Sequence, residues 1–214
     1  MRMQSLIHLA ASLGAICALP AQALEFFGPT PYLSLADTPP GFASGAMDLE
    51  NCEDGLVNPR LITSATIIAP GNITDSVDAD DGEIDGSGIG GHSLFGFPPF
   101  EVEFLPPLPI SAGLVWTDGG TPTEVTFEAF GADGQSLGSI GPFTIGDGNN
   151  SGGTDEDRFF GVRDEGGILR LRVSHTSGGI EIDHIQFNAG DLIFADGLEL
   201  PPTGIATDDA TFLD

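Results

Sequence analysis

The sequence predicts an all-β fold, a single β-sandwich or jelly roll with long Gly- and Asp-rich loops. Three observations predict it. Short apolar runs alternate with clusters of Gly, Pro, Asp and Asn; no stretch keeps a helical stripe for three turns; and clean patterning has a period of two. In residues 101–105 the alternation is sharpest, with Phe100, Val102 and Phe104 on one face and Glu101 and Glu103 on the other.

Taken in order, residues 1–23 have the form of a secretory signal. Arg2 gives a positive start, an apolar run from Leu6 to Leu19 follows, and Ala21-Gln22-Ala23 has the small-x-small form of a cleavage site. Residues 24–45 are expected to be a lead-in segment, 46–200 the sandwich domain and 201–214 a flexible tail. Within them strands are expected at residues 32–35, 62–68, 101–105, 113–117, 124–130, 157–162, 168–175, 180–187 and 192–194. In 124–130, Val125, Phe127 and Ala129 oppose Glu124, Thr126 and Glu128; in 168–175, Leu169, Leu171 and Val173 oppose Arg170 and Arg172. Pro106, Pro107 and Pro109 forbid a central strand between such runs.

Charge narrows the partners. Asp and Glu number 32 against six arginines and no lysine, a formal charge of −26 that becomes −27 once Arg2 leaves with the signal. Such a surface repels nucleic acid and anionic membranes and attracts cations. No later stretch is long and apolar enough to span a membrane. Beyond the signal Cys52 is the one cysteine, so no intramolecular disulfide can staple the loops and a bound metal is a candidate for that role.

Two places are candidate cation sites, and Ca2+ in a structural role is the expected cofactor. Six of the eleven residues 75–85 are acidic: Asp75, Asp78, Asp80, Asp81, Glu83 and Asp85. Calcium takes six to eight hard oxygens, and a glycine-bent loop can turn Asp78, Asp80, Asp81 and Asp85 toward one point; the alternative is a solvated acidic loop. The segment resembles, in part, the calcium loops of helix-loop-helix and dockerin proteins: with Gly82 at the turn, Ile84 takes the hydrophobic place, while Val77 and Ala79 stand where oxygen ligands are wanted. The second candidate joins Glu50, Glu53 and Asp54 to Asp183. Along residues 180–187 the period breaks, because Ile180 and Ile182 have one parity and Ile185 and Phe187 have that of Asp183. Either a β-bulge lies there or Asp183 points inward, where it would need a partner or a metal. Convergence of the four around one ion resembles carbohydrate-binding jelly-roll modules, whose calcium often holds the chain ends together.

The whole, a signal followed by a Gly-rich β-domain ending in Gly179-Ile180-Glu181-Ile182-Asp183-His184-Ile185-Gln186-Phe187, resembles uncharacterised exported bacterial sandwich proteins, some with sorting tails of the Pro-Glu-Pro type. That tail is missing here, and the expectation is a secreted or periplasmic protein. The leading reading is a calcium-stabilised binding or structural module with polysaccharide or extracellular matrix as its partner; an alternative is an extracellular protein-interaction scaffold. Trp116, near Asp118-Gly119-Gly120, is either a ligand-binding platform or, as a lone Trp at a strand end, part of the core. Glu181-Ile182-Asp183 also resembles the Glu-x-Asp-x-x-Glu signature of laminarinase-like β-glucanases, which implies Glu181 as nucleophile and Asp183 as its assistant. The acid/base position is Gln186, however, and an amide cannot protonate a leaving group. The sequence therefore points away from an enzyme, with no catalytic residue assigned.

Overall fold

The computed structural model describes residues 23–119, 123–146, 148–149, 152–176 and 178–188. Among them are twelve strands in two sheets and no α-helix. One sheet runs β1 (Glu25–Pro31), β10 (Arg158–Arg163), β7 (Ser111–Asp118), β12 (Ile180–Asn188), β5 (Ser93–Gly96), β4 (Thr66–Ile68), with β2 (Met47–Glu50) also on β12. The other runs β3 (Leu61–Thr63), β6 (Phe100–Phe104), β11 (Ile168–His175), β8 (Thr123–Gly131), β9 (Ser136–Ile145). Every pairing is antiparallel. The chain is an all-β sandwich.

Period-two patterning builds its core. Val102 and Phe104 of β6, Val125 and Phe127 of β8, and Leu171 and Val173 of β11 face Leu114 and Trp116 of β7, Phe160 and Val162 of β10, and Ile182 and Phe187 of β12. Phe127 stacks on Phe160 with centroids 5.7 Å apart, and Phe104 meets Phe187 at 5.3 Å.

A second apolar cluster lies on the opposite, outer face of the larger sheet. Phe27, Val115 and Phe159 project from β1, β7 and β10, and Tyr32, Phe42 and Val77 close over them from loops. Two glycines make room: a Cβ on Gly113 would sit 2.6 Å from the Phe159 ring, and one on Gly161 would sit 2.8 Å from the ring of Phe42. The larger sheet is thus buried on both faces.

The strand expectations at 101–105, 113–117, 124–130, 168–175 and 180–187 meet β6, β7, β8, β11 and β12, and that at 157–162 meets β10. Residues 62–68 form two strands, β3 and β4, which belong to different sheets. Residues 32–35 are loop, with the Tyr32 ring fully buried in the second cluster. The lead-in segment supplies β1 of the larger sheet. The expected strand at 192–194, the signal through residue 22 and the tail at 201–214 lie outside the described residues.

Candidate functional site: a buried polar layer beneath the loops

The period break in β12 is a β-bulge. Asp183 pairs with Val115 and Gln186 with Gly113, so three steps on β12 oppose two on β7. His184 absorbs the extra residue in the left-handed region, at φ 42°. The bulge restores Ile185 and Phe187 to the core and leaves Glu181, Asp183, His184, Gln186 and Asn188 on the outer side. Solvent does not reach them: Asp183 is 1 % exposed and His184 3 %. Of the two alternatives the sequence left open, the bulge is present, yet Asp183 is neither in the sandwich interior nor at the surface. It faces a layer of loops.

Those loops are tied down through these side chains. Glu181 Oε2 accepts from the Asp75 amide at 2.8 Å and from Ser93 Oγ at 2.7 Å. Asp183 Oδ2 accepts from the Val77 amide at 2.9 Å and its Oδ1 from the His184 amide at 2.7 Å. Asn188 Oδ1 accepts from the Ile110 and Ser111 amides while its Nδ2 donates to the Ser44 carbonyl. A chain of bonds runs from Thr38 to Gln186 Oε1, from Gln186 Nε2 to the Tyr32 hydroxyl, and from there to His184 Nδ1 at 2.9 Å. With Tyr32 donating to Nδ1, the proton of a neutral imidazole sits on Nε2, which lies 2.8 Å from Asp80 Oδ1.

Electrostatically the layer is strained. Burial pushes Glu181 up to about 7, against the pull of its two donors. Burial, and then Asp80, hold Asp183 well above the usual carboxylate range. Burial, and then Asp75, Glu156, Asp183 and Asp78, do the same to Asp157. Among the described residues no arginine pairs with the carboxylate of Glu181, Asp183 or Asp157.

One cluster here suits a metal. Asp80, Asp183 and His184 each offer a ligand atom within 4.8 Å of the others, the one such group of three among the described residues. Asp80 Oδ2 is buried and has no hydrogen-bond partner. Once the ring proton moves to Nδ1, where the Tyr32 hydroxyl can accept it, Nε2 is free to ligate; two carboxylates and that imidazole nitrogen fit a divalent cation, and the nitrogen suits zinc or manganese better than calcium's all-oxygen shell.

The other sequence candidates go elsewhere. Asp78 is buried, but it organises its own loop, accepting from the amides of Asp85 and Gly86 and from Thr154 Oγ1. Asp81 and Asp85 are exposed, so residues 75–85 do not turn their carboxylates to one point. The loop follows a 3-10 turn over Asp78–Asp81 that sends successive side chains in different directions. Glu50 sits on β2 opposite Ile185, so strands near the two chain ends do pair. Its carboxylate, however, is taken by the amides of Cys52 and Asn58. Glu53 bonds His92 through its amide and its ring, and Asp54 caps the exposed Leu56 amide. Glu50, Glu53 and Asp54 therefore do not converge on Asp183. Trp116 is fully buried in the main core, which corrects its expected role as a sugar platform: no ligand can reach its face. His184 and Asp157 were missed by sequence reasoning. Only the parity break beside His184 signalled either.

No family model matches the chain, and no curated protein does. Among solved structures it is similar to the K1 cleaved adhesin domain of Lys-gingipain from Porphyromonas gingivalis, at 11 % identity and a TM-score of 0.43, over 68 % of this chain and 99 % of that one. It is also similar to the enzymatically active domain of tailspike protein 4 of bacteriophage CBA120, at 16 % identity and a TM-score of 0.29, over 67 % of this chain and 19 % of that one.

Proposed function

We propose that this protein is an exported, non-catalytic binding or structural module whose loop layer is fixed to the larger sheet by a divalent cation. The observation that carries the reading is the Asp80, Asp183 and His184 cluster, with Asp80 Oδ2 buried and unpartnered. An ion there would neutralise two crowded carboxylates and join the 78–81 turn to β12. The fixed loops display Ile73, Ile84 and Ile89 at the surface, apolar side chains suited to an extracellular protein or the apolar faces of a polysaccharide. With a jelly-roll winding and secretion or periplasmic residence, this is a scaffold that holds long loops without a disulfide.

The test is thermal unfolding of EDTA-treated protein titrated with zinc, manganese and calcium, with metal content of the untreated protein measured in parallel. A rise in Tm with one of these ions, abolished in Asp80→Ala and in His184→Gln, supports the reading. No bound metal and no shift would overturn it. A glycan array and a search for a stable protein partner then separate the two ligand classes.

A glycoside-cleaving reading has one observation in its favour, the pKa of about 7 at Glu181, which suits proton transfer. Turnover of a β-glucan that vanishes in Glu181→Gln would establish it.

A further inference from the structure

Asp157 stands apart from every interaction described so far. It is fully buried, and neither carboxylate oxygen has a hydrogen-bond partner. Its backbone carbonyl is used, accepting from the Tyr32 amide and from Arg158 Nη1, but its side chain is not. A buried carboxylate without donors is among the costliest arrangements a fold can hold.

Its surroundings make matters worse. The charged groups that act on it most strongly are Asp75, then Glu156, Asp183 and Asp78, all of its own sign. The β7–β10 register pairs Arg158 with Trp116. One further step sets Asp157 across from Thr117, on the outer face that Phe159 and Val115 share. Thr117 is itself the extra residue of an irregularity on β7, since Glu181 pairs with Asp118 and Ile182 with Trp116. Its Oγ1 is also buried and without a partner. Asp75 is held close by two restraints. Its amide is bound to Glu181, and Gly88 lies so near that a Cβ there would sit 2.8 Å from Asp75 Oδ1.

We infer that Asp157, Asp75 and the Thr117 hydroxyl form a second, all-oxygen cation site, selective for a hard divalent ion such as calcium. Oxygen donors alone, two of them anionic, are the ligands calcium prefers. No imidazole or thiol takes part, so this site and the Asp80, Asp183 and His184 cluster differ in the ion they select. The ion would hold together the 75–77 segment, the end of β7 and the start of β10. The inference stands whether or not the first cluster binds metal.

The experiment uses the full chain after EDTA treatment, with terbium(III) as a calcium surrogate. Trp116, the one tryptophan of the chain, adjoins Thr117, so exciting its indole reports terbium at this site. Sensitised emission that calcium displaces, that Asp157→Asn abolishes and that Asp80→Asn leaves intact would support the site. No sensitised emission from the unmodified chain, or full emission from Asp157→Asn, would overturn it. Thermal unfolding supplies a second reading that does not depend on luminescence. In EDTA at pH 8, Asp157→Asn should unfold at a higher temperature than the unmodified chain, because the substitution removes a carboxyl that must either keep its charge among like charges or take up a proton in order to be buried. In calcium the order should reverse. An Asp157→Asn protein that is less stable in both conditions marks a purely structural aspartate and also overturns the inference.

Discussion

The outer faces of the two sheets dispose of the acidic excess in opposite ways. On the five-stranded sheet, Arg172 bonds Glu101 through Nε at 2.6 Å and Glu128 through Nη1 at 3.2 Å, Arg170 approaches Glu101 at 3.7 Å, and both guanidinium groups lie over the ring of Phe130. These groups are partly in water, and Glu101 and Glu128 each have a cation. On the seven-stranded sheet, Glu181, Asp183 and Asp157 are sealed under loops, and what satisfies the first two is backbone amides. A charge at a wet surface needs little help, whereas a charge under a lid needs donors, a proton or a metal. The location of an acid, not its abundance, decides whether it implies a ligand.

The largest effect should come from the core that both sheets share. Phe160→Ala is expected to cost about 3–5 kcal/mol in chemical unfolding, because the cavity opens beside Phe127 and Phe143. A loss below about 1 kcal/mol would mean that the sheets do not pack as described. Next comes Asp183→Ala, which leaves the buried Val77 amide without its acceptor at a cost of about 1–3 kcal/mol in EDTA. Limited proteolysis should then nick residues 74–92 while far-ultraviolet circular dichroism stays sandwich-like; cleavage spread across the chain would break the distinction between layer and core. On the other face, Arg172→Ala should cost less than about 1 kcal/mol, an amount that shrinks with salt.

The smallest expected effect is a pH slope. Burial holds the His175 imidazole below its usual 6.5. The native state therefore binds fewer protons than the unfolded chain, so stability is full above about 6.5 and declines as pH falls from there toward the lowered native value. The buried Glu181, Asp183 and Asp157 push the other way, because their raised native values let the folded chain bind more protons, so the His175 share is read as a difference: between pH 8 and pH 5 the unmodified chain should lose stability relative to His175→Gln.

How much of this was legible depended on periodicity. β6 alternates strictly, and β8 and β11 do so over residues 123–129 and 170–175, because one face is core and the other water, and the sequence declares that directly. β7 and β12 are buried on both faces, so their composition showed strands but not which residues point where. β1, β2, β5 and β9 stayed hidden: Gly28, Pro29 and Pro31 sit in β1, β2 is four residues long, Gly96 ends β5, and Gly138, Gly141 and Pro142 interrupt β9. At the site, Asp183 announced itself by breaking a period. Asp157 could not, since its burial comes from loops distant in sequence, and Glu50 misled because a carboxylate two residues from a turn satisfies the turn's amides first.

Edges carry a final consequence. β3 and β4 are three residues long, β1 contains Pro29 and Pro31, and β9 contains Pro142 with two register shifts against β8. A proline offers no amide to an incoming strand, and a three-residue ribbon offers too few. The sandwich ends on margins that make poor templates, so copies of the chain resist zipping edge to edge into fibrils.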